Sequence, residues 1–191
     1  MNKINSITHA FKEWETAIKA LEAGKTIMLL RKGGIHERGG KFQVSHEQVL
    51  LYPTYEHQQS SMIKPEYTQG INQTTSDCNS DKLCISSWAK ITDILPVDDE
   101  SIINSLTPFH VWKQNFISDR LKWKPSRPLY ILLLRVYKLP QIQYLPYLPK
   151  YGGCKSWIEL TESIDISNTK PVIYDSTYSQ IVDKIRSMVD K

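Results

Sequence analysis

A chain of 191 residues, 40% hydrophobic and 23% charged, carries enough apolar material for a packed core, which excludes a wholly disordered polymer. Its formal net charge of +4 permits an anionic partner without demanding one, and no apolar run is long enough to span a bilayer. The three cysteines, Cys78, Cys84 and Cys154, form no CxxC pair, which argues against both a four-cysteine zinc site and a disulfide framework. Reduced thiols, together with an N-terminal stretch MNKINSITHAFKEW that lacks a signal-type apolar core, lead to the expectation of a cytoplasmic protein. Residues 1–191 are expected to form one domain.

Thr8 is suited to cap a helix over His9–Ala23, because Phe11, Trp14, Ile18 and Leu21 recur at intervals of three and four. In that helix Lys12, Glu13 and Glu15 face solvent, and Gly24 ends it. Thr26–Arg31 reads as a core strand covered on both faces. Short strands are expected at Lys41–Val44 and Val49–Tyr52, the latter closed by Pro53. Residues 66–81, EYTQGINQTTSDCNSD, hold one aliphatic side chain in sixteen residues and read as a mobile polar surface loop.

Strand character resumes at Cys84–Leu95 and stops at Pro96. Asp98 then caps a short helix through Leu106, and Thr107-Pro108 starts another that carries Phe109, Trp112 and Phe116 to about Asp119. Arg120–Arg127, RLKWKPSR, interleaves four cations with Trp123. Leu129–Tyr137 is the strongest strand, and Leu139–Pro149 reads as an ordered extended loop. A glycine turn at Gly152-Gly153 enters a strand toward Leu160, Pro171–Tyr174 is a last short strand, and a helix from Asp175 or Ser176 presents Tyr178, Ile181, Val182, Ile185, Met188 and Val189. Strands and helices do not alternate, so the fold class is α+β: a curved mixed sheet or small open β-barrel with flanking N- and C-terminal helices.

Two groups of residues carry the chemistry. Arg31 and Lys32 end a strand at a double glycine, and Lys122, Trp123 and Lys124 pair cations with a stacking ring, the combination that grips single-stranded or flipped-out nucleotides. Tyr55, Glu56, His57 and Gln58 form a polar cluster in which an imidazole beside a carboxylate serves either acid–base chemistry or a structural network. A site of two histidines and one carboxylate would need His36 or His46 to join them. The Asp93, Asp98 and Asp99 carboxylates lack the following Glu-x-Lys of a nuclease site, GxSxG is missing, and Gly24-Lys25-Thr26 lacks the upstream glycine of a phosphate loop. The residues assign no metal and no cofactor. Cys154 reads as a small core residue.

HAFKEW at His9–Trp14, LLRKGGI at Leu29–Ile35, LYPTYEHQ at Leu51–Gln58, LRVYKLP at Leu134–Pro140 and YGGCKSWIEL at Tyr151–Leu160 together resemble the bacterial domain-of-unknown-function family 1802. That resemblance implies a part in handling DNA within a restriction or defence system, with an endonuclease as partner. A second likeness, to the PUA-like superfamily with its ASCH and EVE domains, rests on a helix leading through Gly24 and Lys25 into a strand ending at Arg31. It implies an RNA or modified-base cleft faced by Lys25, Arg31 and Lys32, with Trp88 or Trp123 as stacking surface. Here Gly24 and Lys25 are adjacent, and Met28 stands where a glutamate is often seen. The function expected first is therefore a nucleic-acid or modified-base recognition module acting on DNA or RNA. The alternatives are a metal-dependent nuclease or nucleotide-processing hydrolase using Glu56 and His57, and a defence accessory working through protein contacts.

Overall fold

The computed structural model describes residues 6–32, 44–68 and 82–190. In chain order the elements are β1 (Ser6–Trp14), α1 (Glu15–Glu22), β2 (Met28–Arg31), β3 (Gln48–Thr54), α2 (Pro65–Thr68) and β4 (Lys82–Val97). Then come α3 (Glu100–Ser105), α4 (Gln114–Lys122), β5 (Leu129–Pro146), β6 (Trp157–Asp165), β7 (Lys170–Pro171) and α5 (Asp175–Val189). The strands form one mixed sheet in the order β2-β5-β4-β3-β1-β6, with β7 also on β5. β1 and β3 run parallel and the other pairs antiparallel. This is the expected α+β architecture, and the sheet is open, since β2 and β6 are its two ends.

The main departure lies at the start. Residues 9–14 were expected in a helix and instead extend as β1, held on one edge by β3 and on the other by β6. Phe11, Trp14, Ile18 and Leu21 do recur with helical spacing, but tertiary pairing on both edges overrides a propensity of that size. Strand geometry sends alternate side chains to opposite faces. Phe11 therefore joins the core on one face, and Ala10 joins the core on the other. The same change buries Lys12 and Glu13, at 5 and 6% exposure, and Glu15, expected in solvent, is buried at 5% at the start of α1.

α1 begins after Trp14, which makes no side-chain cap. The free amide of Thr16 donates to Gln58 Oε1 at 3.1 Å, so the cap comes from a turn 42 residues later. Gly24, at φ +68°, closes the helix in the left-handed region.

β2 is buried at the end of the sheet and not at its centre. Met28 and Leu29 are fully buried because Ile18 and Leu21 of α1, Phe116 and Ile117 of α4 and Val182 and Ile185 of α5 share their core. β4 and β5 outrun their expected limits. β4 continues through Pro96, in register with Tyr130, and β5 takes in residues 139–146 expected as loop. β3 likewise carries Pro53. Register shifts at Ile85/Ser87 and Ile91/Asp93 absorb extra residues.

The segment between β4 and β5 also differs from expectation. Asp99, not Asp98, caps α3 by accepting from the Ser101 amide at 2.7 Å. The expected helix from Thr107 to Asp119 is broken: Thr107–Phe109 is a 3-10 turn, Trp112 bridges to Ile63, and α4 starts at Gln114. α5 matches expectation, burying Tyr178, Val182 and Ile185.

Of the expected strand Lys41–Val44, residues 41–43 lie outside the described residues, as do residues 69–81 of the polar loop; residues 66–68 belong to α2. Cys84 is disulfide-bonded, so the expectation of reduced cysteines fails for it. Cys154 is exposed and not a core residue. Among the described residues no helix is long and apolar enough to cross a membrane.

Candidate functional site

The end of β2 meets the last turn of α4, and both carry cations. Arg31, the last residue of β2, donates from Nη2 to the carbonyl oxygen of Lys12, and its guanidinium lies 4.5 Å from the centre of the Phe11 ring. Lys32 donates to the carbonyl of Leu121 at 3.0 Å, which sets an ammonium against the C-terminal turn of α4 where the helix dipole favours it. Arg120, on the same turn, sits 4.9 Å over the Phe116 ring. Glu13 from β1 faces Arg31 at 3.5 Å (Nε to Oε2), with its side chain 6% exposed against 20% for the arginine. The Nε of Arg31 is buried and makes no hydrogen bond with a described residue.

Positive charge is crowded here. Burial, then the neighbouring Arg120, pull the Lys32 ammonium below its ordinary value. Burial, then Arg31, do the same to Arg120, and Glu13 and Asp119 oppose that pull. α4 ends at Lys122, and Trp123 follows it in extended conformation. Lys122 is exposed, the Trp123 ring is 37% exposed, and the Lys124 ammonium rests 4.4 Å from the ring centre.

Thus Lys32, which follows Arg31, reaches the last turn of α4, just before Lys122, Trp123 and Lys124 in the chain. Lys25 does not join them. It precedes β2, whose other end carries Arg31. Trp88 is no stacking surface: it is 7% exposed, stacked on Tyr137 at 4.4 Å, and donates to Thr169 at 3.1 Å. Glu13 and Arg120 were missed as neighbours of Arg31 and Lys32. Arg120 was visible within RLKWKPSR, but Glu13 became legible only once β1 was known to be a strand.

The polar cluster Tyr55–Gln58 is committed to holding the fold. Tyr55 donates to Glu15 at 3.4 Å, Glu56 accepts from Lys12 at 2.9 Å, and Gln58 caps α1. Lys12 Nζ also donates to the carbonyls of Tyr151 and Gly153, each at 3.1 Å, so its ammonium is fully partnered inside the protein. His57, at φ +60°, lies 3.8 Å from Cys154 Sγ.

His46 is elsewhere, stacked on His9 with ring centres 3.4 Å apart. His9 Nδ1 pairs with Glu159 Oε2 at 2.5 Å, and Thr8 donates to the other oxygen of that carboxylate. Burial, then His9, hold His46 below its ordinary value, while the Thr8 hydrogen bond is the first of the causes that lower Glu159. The rings are 6° from parallel, so their in-plane lone pairs do not converge on one ion. His46, which a site of two histidines and one carboxylate would have needed beside Glu56 and His57, stacks on His9 instead, and His36 lies outside the described residues. Among the described residues no group of three or more His, Cys, Asp or Glu is placed to hold a metal ion.

A family model described as domain of unknown function (DUF1802) matches residues 10–184. No curated protein matches the sequence. Among solved structures, ASCH from Zymomonas mobilis is similar over 92% of this chain and 93% of its own, with 10% identity and a TM-score of 0.46. A point mutant of that protein is similar over 92% and 94%, with the same identity and TM-score.

Proposed function

We propose that this chain, which belongs to the family described as domain of unknown function DUF1802, is a nucleic-acid recognition module that grips its ligand at the end of α4. The observation that carries this reading is the gathering of cations at the last turn of α4, where Lys32 from the end of β2 meets the Leu121 carbonyl beside Arg120, followed along the chain by Lys122, Trp123 and Lys124. Cations gathered against their mutual repulsion are stabilised by an anion, and arginine and lysine suit phosphate oxygens. An exposed indole beside them supplies a π-face on which an unpaired base can stack. The nuclease and hydrolase alternatives lose support, because Glu56 is bonded to Lys12 and, among the described residues, no group of three or more His, Cys, Asp or Glu is placed to hold a metal ion.

The test is a fluorescence titration of the double variant Lys122→Glu, Lys124→Glu. Lys122 is exposed and Lys124 half-buried outside the core, so the fold should persist. Affinity for single-stranded oligonucleotides is expected to fall about tenfold or more regardless of base sequence, and the salt slope to flatten by about two. Unchanged affinity and slope would remove this surface from the binding face.

A further inference from the structure

We propose that Cys154 and His57 form a thiol–imidazole pair that reacts with small disulfides, making Cys154 a site of reversible mixed-disulfide modification.

Geometry is the first support. Cys154 Sγ lies 3.8 Å from His57 Nε2, although the two residues stand 97 positions apart. A nucleophile beside its base is the arrangement that activates a thiol. Both turns that carry the pair are braced by one buried ammonium. Lys12 Nζ donates to Glu56, the neighbour of His57, and to the carbonyls of Tyr151 and Gly153, the second of which precedes Cys154. The Gln58 amide closes the first turn on the Tyr55 carbonyl at 3.2 Å, with His57 held at φ +60°. The fold therefore sets thiol and imidazole side by side before any reagent arrives.

Access is the second. Cys154 is a free, exposed cysteine. Gly153, at φ +83°, has nothing within 4 Å of the place a Cβ would take, so open space adjoins the thiol. Gly152 differs: a Cβ there would lie 2.9 Å from the Tyr147 hydroxyl. The glycine turn is thus packed at Gly152 and open at Gly153, and a small molecule meets the sulfur from the open part.

Chemistry is the third. The thiolate is the reactive form of cysteine. The Cys154 proton passes to His57 Nε2, and the sulfur attacks one sulfur of the incoming disulfide. A new S–S bond forms to Cys154 as the old one breaks. Its electron pair leaves on the second half as a thiolate, which takes the proton back from the imidazolium. Cys154 is oxidised, the departing half is reduced to a thiol, and no further reactant is needed.

The experiment follows reaction of the full chain with oxidised glutathione by mass spectrometry, from pH 6.5 to 9, with N-acetylcysteine as the reference thiol. An ordinary thiol is only about 1% ionised at pH 6.5. Cys154 is expected to react about tenfold faster than the reference at that pH, with a shallower rise toward pH 9. His57→Asn, a residue that tolerates the left-handed backbone, should bring rate and pH profile to those of the reference while Tm stays unchanged. Equal rates for the unaltered protein and His57→Asn, or glutathione found on a residue other than Cys154, would overturn the proposal. Should that variant fail to fold, the unaltered protein decides: native Cys154 reacting no faster than in urea at pH 6.5 overturns it, and a faster native rate supports it.

Discussion

Lys12→Met should lower the stability of this protein by about 3 kcal/mol, a drop in Tm of roughly 10 °C for a chain of this size. The ammonium is 4% exposed and holds three acceptors: Glu56 Oε2 at 2.9 Å and the carbonyls of Tyr151 and Gly153 at 3.1 Å. Methionine fills the same volume but donates nothing. Glu56 is 39% exposed and regains water, so most of the loss falls on the two carbonyls and on the joint between β1 and the turn entering β6. Glu56→Gln keeps an acceptor for the ammonium and should cost about 1 kcal/mol. Urea unfolding of the two variants checks the difference. If Lys12→Met unfolded at the midpoint of the unaltered protein, Lys12 would not be the anchor described here.

His110 should make the fold sensitive to acid. It is fully buried, and neither ring nitrogen makes a hydrogen bond with a described residue. Burial, then the Lys64 ammonium, push its pKa down to about 4, and backbone groups of Trp112 and His110 offset only part of that. In the unfolded chain the imidazole takes its proton near pH 6.5. Above that value neither state binds the proton and the residue adds no pH dependence. Between pH 6.5 and 4 the unfolded state holds more protons, so stability falls by about 1.4 kcal/mol per pH unit as the solution is acidified. The full loss is about 3 kcal/mol, complete below the folded value. His110→Phe keeps a ring and removes both nitrogens. Its stability should therefore decline less steeply from pH 6.5 to pH 4.5, and at neutral pH it should equal or exceed that of the unaltered protein. Parallel pH profiles for the two proteins would contradict this assignment.

These two residues also mark where sequence reading succeeds and stops. Local patterns were legible where one periodicity was unopposed: the apolar stripe of α5, the run Leu129–Tyr137, and the cations of RLKWKPSR ending a helix before a strand. The opening was misread because Phe11, Trp14, Ile18 and Leu21 satisfy a helical spacing, while the strand at 6–14 is decided by partners far along the chain. Proline was weighted as a stop at Pro53 and Pro96, yet both sit inside strands. The pairing of Lys12 with Glu56 spans 44 positions and that of His9 with Glu159 spans 150, and no local pattern in one sequence announces either. The cation cluster was half legible. Arg31, Lys32, Lys122 and Trp123 stood out as cations and a ring at element ends, but Glu13 gained its place only through the strand that carries it.

The measurement that bears most directly on the central claim is a salt-dependent fluorescence titration of the unaltered protein, whose five tryptophans report binding, with short single-stranded and duplex DNA and RNA. Tight binding that weakens steadily with salt, with quenching lost in Trp123→Phe, is the result predicted by cations clustered at the end of α4 next to an exposed indole. Failure to bind any of the four at low salt would contradict the claim that the end of α4 is a nucleic-acid site.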